Sequence, residues 1–112
     1  DSFGQFYNSS LSTGNNADIP LTFSLNQNYP NPFNPSTIIS YELPNTSKIK
    51  LEIFDMMGRN VKTLFDGSKP AGRHHQTWNG SDNFGNAMGA GVYVYRMTTD
   101  NKFFIKKMIL MK

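Results

Sequence analysis

The sequence predicts an all-β domain, an antiparallel sandwich of about seven short strands, and three observations carry that reading. From Thr37 onward, short runs of alternating apolar and polar residues recur roughly every ten residues. Turn-forming pairs separate them, among them Pro44-Asn45, Asp66-Gly67, Asn79-Gly80 and Asp100-Asn101. No stretch of this region repeats its apolar residues with a helical period, while β-branched and aromatic residues are plentiful.

Six strands can be placed in order. The first runs from Thr37 to Leu43, with Ile39, Tyr41 and Leu43 on one face. The second runs from Lys48 to Phe54, where Ile49, Leu51 and Ile53 alternate with Lys48, Lys50 and Glu52, so one face is dry and the other wet. Asp55 to Arg59 closes a hairpin, with Gly58 supplying a positive φ. The third strand spans Asn60 to Phe65; Asp66-Gly67 and Pro70-Ala71-Gly72 then mark a longer connection. The fourth, Arg73 to Trp78, ends on the lone tryptophan, read as a plug of the core. A turn-rich loop through Asn83 and Gly85 follows. Gly89 and Gly91 lead into the fifth strand, Val92 to Thr98, and Asp100-Asn101 turns the chain into the last, Phe103 to Leu110.

Two segments precede the strands. Residues 1–20 are rich in Ser, Asn, Gly and Thr without period, and read as a flexible linker from an upstream domain, mobile in isolation unless Phe3, Phe6 and Tyr7 dock; residues 21–112 form the sandwich. Between Leu25 and Ser36, Pro30, Pro32 and Pro35 predict a stiff lead-in with Tyr29, Asn31 and Asn34 extended, anchored by Tyr29 and Phe33.

Composition bounds the function. A chain of 112 residues that is 38% hydrophobic and 13% aromatic holds one modest core. Without cysteine there is no disulfide, thiolate nucleophile or cysteine-ligated zinc. No apolar run is long enough for a membrane-spanning helix, so no direct membrane insertion is expected, and a signal peptide would lie upstream. The net charge of +3 does not call for nucleic acid. It is unevenly placed, however: from Asn101 onward there are Lys102, Lys106, Lys107 and Lys112 and no acid, a pattern that also suits a solvated edge strand.

Catalysis finds little support. His74 and His75 are neighbours in a strand and point to opposite faces, so they cannot readily share a metal or a proton. The acids are scattered between linker, outward strand positions and turns, and no nucleophile elbow or phosphate loop is present. No catalytic, cofactor-binding or metal-binding residue is assigned. The oxygen-rich loop Asn79 to Asn86 has some character of a calcium loop but not the spacing or terminal glutamate of an EF-hand, and a hydrogen-bonded turn is the reading preferred.

The ordered series of Leu25, Gln27 to Thr37, Ile53-Phe54-Asp55 with Gly58-Arg59, Ala71-Gly72, Trp78-Asn79-Gly80, Gly91-Val92-Tyr93 and Lys107-Met108 with Leu110 and Lys112 resembles the type A C-terminal sorting domain of the type IX (Por) secretion system. These domains are related to the immunoglobulin-like domain of flagellar hook capping proteins. Position 79 is Asn where the family often has Asp. The resemblance spans about residues 20 to 112 and implies an immunoglobulin-like fold. It further implies passage of a larger protein through the periplasm, recognition of this domain by the outer-membrane translocon, and usually its removal by a sortase-like cysteine peptidase, leaving the cargo on the cell surface or in the medium.

On that basis the candidate recognition residues are Pro30, Pro32, Gly91, Tyr93, Lys106, Lys107, Met108, Leu110 and Lys112. The other classes of reading are a carbohydrate-binding module stacking sugars on Trp78, Tyr93 or Tyr95, and a structural immunoglobulin-like assembly module.

Overall fold

The computed structural model describes residues 19–111. Seven strands follow in chain order: β1 (Ser24–Leu25), β2 (Thr37–Leu43), β3 (Ser47–Asp55), β4 (Asn60–Lys69), β5 (Gly72–Trp78), β6 (Gly91–Thr98) and β7 (Phe103–Leu110). They form a three-stranded sheet in the order β1-β2-β5 and a four-stranded sheet in the order β4-β3-β6-β7, with every ladder antiparallel. The expected sandwich is therefore present, with the short β1 added to the six strands read from the sequence. The linker expected over residues 1–20 lies, apart from Ile19 and Pro20, outside the described residues.

Alternation sets the core. Ile39, Tyr41 and Leu43 of β2 face Ile49, Leu51 and Ile53 of β3 and Tyr95 and Met97 of β6, all buried. β7 contributes Met108 and Leu110, and β5 contributes Trp78. On β5 the two histidines divide as expected. His74 is half-buried and stacks on Tyr41 at 5.4 Å between ring centres, while His75 is exposed.

Two expectations need correcting. Asp66-Gly67 does not end the third predicted strand, because β4 continues to Lys69 in register with Ser47. Pairing with β3 satisfies the backbone there, and Gly67 leaves room for the Phe65 ring, whose Cζ would lie 3.3 Å from an added Cβ. Earlier in β4, the register shifts twice against β3, and a bulged strand re-aims its side chains. Val61 is buried there, and Leu64 packs on the core. Glu52 lies on the outward face of β3 as expected, yet it is buried beneath Arg96, Lys50 and Asn60.

Tyr95 ties this core to the segment ahead of β2. Its hydroxyl donates to the Asn26 carbonyl at 2.6 Å, and burial pushes its pKa up to about 12 from 10. The folded state thus favours the protonated phenol. That contribution is fully present below pH 10 and is lost as pH rises towards 12, on the order of 2–3 kcal/mol. Urea unfolding between pH 8 and 12 should show stability falling over this interval, with a shallower fall in Tyr95→Phe. Tyr41 and Tyr93, also raised by burial, supply a remaining slope. An identical slope in the variant would refute the assignment.

Candidate recognition surface

The proline-rich segment is bent rather than extended, with bends at residues 30–32 and 34–35 and cis peptide bonds before Pro30, Pro32 and Pro35. What holds it is hydrogen bonding to both sheets. On the three-stranded side, Tyr29 and Ile38 exchange backbone hydrogen bonds at 3.0 and 2.9 Å. A buried polar knot supports that pair: Asn28 Nδ2 donates to Thr37 Oγ1 and to the Pro30 carbonyl, and Thr37 Oγ1 donates to the same carbonyl at 2.8 Å. On the four-stranded side, the Phe33 N–H donates to the Ile109 carbonyl, the Met111 N–H donates to the Phe33 carbonyl, and Asn31 Oδ1 accepts the Ile109 N–H. Gln27 Nε2 donates to the Lys107 carbonyl at 2.7 Å.

This arrangement gathers the motif residues at one pole of the sandwich. Phe33 is buried against Trp78, with ring centres 5.7 Å apart, and Trp78 meets Tyr93 edge-on at 5.4 Å. Trp78 Nε1 donates to the Ser81 carbonyl, and the Tyr93 hydroxyl donates to that of Gly89. Gly80 sits against this cluster at φ +78, where an added Cβ would lie 3.2 Å from the Pro35 carbonyl oxygen and 3.5 Å from Leu110 Cδ2. Gly91 pairs with Leu110, and Asp55 at the end of β3 pairs with Tyr93.

The candidate recognition residues therefore divide. Pro30, Pro32, Lys106 and Lys107 are exposed. Tyr93, Met108 and Leu110 are in the core, because their positions on β6 and β7 share the inward parity, so a partner cannot contact them directly. Gly91 is half-buried, and an added Cβ there, or at Gly89, would meet nothing within 4 Å, so close packing within the chain does not explain either glycine. Lys112 lies outside the described residues. Of the two expected lead-in anchors, Phe33 serves, whereas the Tyr29 side chain is 80% exposed and only its backbone is engaged. Trp78, Tyr93 and Tyr95 are all buried, so no aromatic stacking platform for sugars exists among them.

Two turns share one design. In Asp55 to Arg59 the Asp55 carboxylate accepts the N–H groups of Met57 and Arg59, and Gly58 follows at φ 84. In Asp82 to Asn86 the Asp82 carboxylate accepts those of Phe84 and Asn86, and Gly85 follows at φ 86. The Arg59 N–H holds the Asp55 carboxyl below its usual range, and the Asn86 N–H does so for Asp82. Asp82 Oδ1 thus points into its own turn, the hydrogen-bonded arrangement preferred from the sequence. The second turn also caps β4: the Asn83 N–H donates to Val61, and Asn83 Oδ1 accepts from the Thr63 N–H.

Comparison with known proteins agrees with this architecture. The family model of the FlgD Ig-like domain matches residues 29–102. The chain belongs to the FlgD Ig-like domain family. FlgD from Xanthomonas campestris, whose structure gives insights into the hook capping essential for flagellar assembly, is 29% identical with a TM-score of 0.52, over 67% of this chain and 55% of that one. Dimeric latent PorU from Porphyromonas gingivalis superimposes with a TM-score of 0.64 at 22% identity, over 76% of this chain and 9% of that one. PorZ of the same organism, a surface component of its type IX secretion system, gives 0.51 at 19% identity over 80% and 11%. The chain thus spans about a tenth of the two Por proteins and little more than half of FlgD. No curated protein sequence matches it. The FlgD Ig-like match stops just before β7, so the strand bearing the basic run lies outside it.

Replacing Phe33 by Ala should remove about 3–5 kcal/mol through the cavity opened beside Trp78, a large share of the stability of a domain this size. Tyr29→Ala, four residues earlier but exposed, should change it by less than about 0.5 kcal/mol. Equal urea midpoints for the two variants would show that Phe33 is not the anchor.

Proposed function

We propose that the chain is the sorting domain of a larger exported protein, read in its folded form by the type IX outer-membrane translocon and carrying no chemistry of its own. The observation behind this reading is the gathering of the motif series at one pole. The proline segment, the Trp78 loop, Gly91 and the final strand are distant in sequence and meet there through Phe33, Trp78, Tyr93 and Leu110. The fold shared with PorU and PorZ supports it, since PorZ belongs to that secretion system. In this reading an upstream cargo passes through the periplasm, the domain is recognised and then removed by a sortase-like cysteine peptidase, and the cargo ends at the surface or in the medium. The 112-residue chain fused behind a periplasmically targeted fluorescent reporter should carry the reporter across the outer membrane of a bacterium that has the system, and not of a translocon-deficient strain. Periplasmic retention in both strains, with the domain folded, would refute the proposal.

The FlgD likeness favours a second reading, a structural module that assembles with copies of itself. It predicts concentration-dependent association in sedimentation velocity. A single monomeric species up to about millimolar concentration, too dilute for only the weakest contacts, would exclude it.

A further inference from the structure

Exposed apolar side chains concentrate on one face of the four-stranded sheet. β7 and the residue after it turn Phe103, Ile105, Ile109 and Met111 outward, between 41 and 66% exposed, with Lys107 in the same row. Two hollows mark the face. One, of about 310 Å³, lies between Phe54, Val94 and Ile105 with Arg96 at its side; the other, of about 400 Å³, lies between Val92, Lys107 and Ile109. Met56 lines both, and its flexible thioether suits a surface that adapts to what it meets.

Two facts define what would cover this face. The first is charge. Glu52 is engaged by Arg96 and Lys50, and the Asp55 carboxylate by Arg59 and two backbone N–H groups. Lys107 has no acidic partner among the described residues, and the Arg96 side chain, though paired with Glu52, stays 40% exposed. Each hollow therefore carries an apolar wall beside an exposed cationic group. The second is the state of the sheet edge. Along the second half of β7 the outward backbone groups are already used: Lys107 and Ile109 carbonyls by Gln27 and Phe33, Ile109 and Met111 N–H groups by Asn31 and Phe33. Strand addition at that edge would require the proline segment to leave.

We propose that this face binds an extended segment of a partner protein in which apolar residues alternate with Asp or Glu, docked through side chains rather than added as a strand. Its apolar residues enter the hollows on either side of Met56, and its acids meet Lys107 and Arg96. Separate hollows fit discrete side chains, which a lipid surface would not supply. The partner is the one that reads the domain for export, so the inference rests on the sorting role.

The test titrates the isotope-labelled 112-residue chain with a synthetic nonapeptide alternating leucine and glutamate, followed by NMR. Side-chain methyl shifts should centre on Met56, Val92, Val94, Ile105 and Ile109. Lys107→Glu should weaken binding about tenfold or more, whereas Lys48→Glu, on the same sheet, should change it by less than about twofold. A peptide with lysine in place of glutamate should not saturate. Shifts centred on the backbone amides of Phe103 and Ile105 would mean strand addition and overturn the proposal. So would saturable binding to phosphatidylglycerol vesicles without binding to the peptide, or no shift at millimolar peptide. Reporter export by a chain that fails to bind the peptide would remove this surface and leave the sorting role; peptide binding without export would do the reverse.

Discussion

The sandwich depends on the crossing of the proline-rich segment from one sheet to the other. Tyr29 pairs with β2 through its backbone, and four residues later Phe33 pairs with β7 and places its ring against Trp78. Among the described residues few other polar links run between the two sheets, so this segment fixes how they sit on one another at that pole. Burying Asn28 and Thr37 costs their hydration, which their hydrogen bonds to each other and to the Pro30 carbonyl offset. A small cysteine-free domain has no covalent staple for this purpose. Here the role falls to a non-strand segment whose prolines limit the entropy it loses on ordering.

The same segment solves a second problem. A four-stranded sheet exposes two edges, each a template for unwanted pairing. On β7 the outward groups from Lys107 to Met111 are taken by Gln27, Asn31 and Phe33; on β4, Asn83 takes those of Val61 and Thr63. Both caps come from loops rich in Asn, Pro and Gly that by composition alone would count as connections. With part of each edge capped in this way, the outward face of the sheet remains open to solvent, where Met56, Ile105 and Ile109 are exposed.

The strands were legible because alternation is a local signal: Ile39, Tyr41 and Leu43, or Ile49, Leu51 and Ile53, declare their face without reference to any neighbour. The continuation of β4 through Asp66-Gly67 was not, since the pairing that overrides a turn signal depends on β3 lying alongside. Nor was the exposure of Tyr29, whose aromatic character suggested an anchor while the structure uses only its backbone. The candidate site shows the same division. Lys106 and Lys107 could be read as surface from charge, but Tyr93, Met108 and Leu110 carry the motif and also the inward parity, and the motif alone does not separate address from core. The hollows around Met56 left no mark in the sequence. They are made by residues from β3, β6, β7, a turn and, through Gln27 and Asn31, the proline-rich segment, which only the register and the docking of that segment bring together.

In the proposed sorting role, this overlap constrains how a recognition signal can be built into so small a domain. Met108 and Leu110 fill the core, and the backbone beside them anchors the proline segment, so removing the end of β7 would take away address and scaffold together. A partner that reads this pole therefore reads a folded state, because the buried Phe33, Trp78, Tyr93 and Leu110 hold the exposed groups around them in place only when both sheets have formed. An unfolded copy would offer those exposed groups without fixed positions, with the ordering entropy still to be met. Recognition and folding are in this way coupled through shared side chains. The groups free of that coupling are the outward side chains of Lys107 and Ile109, which alternate with the buried Met108 and Leu110, and they are where binding can change while the fold is kept.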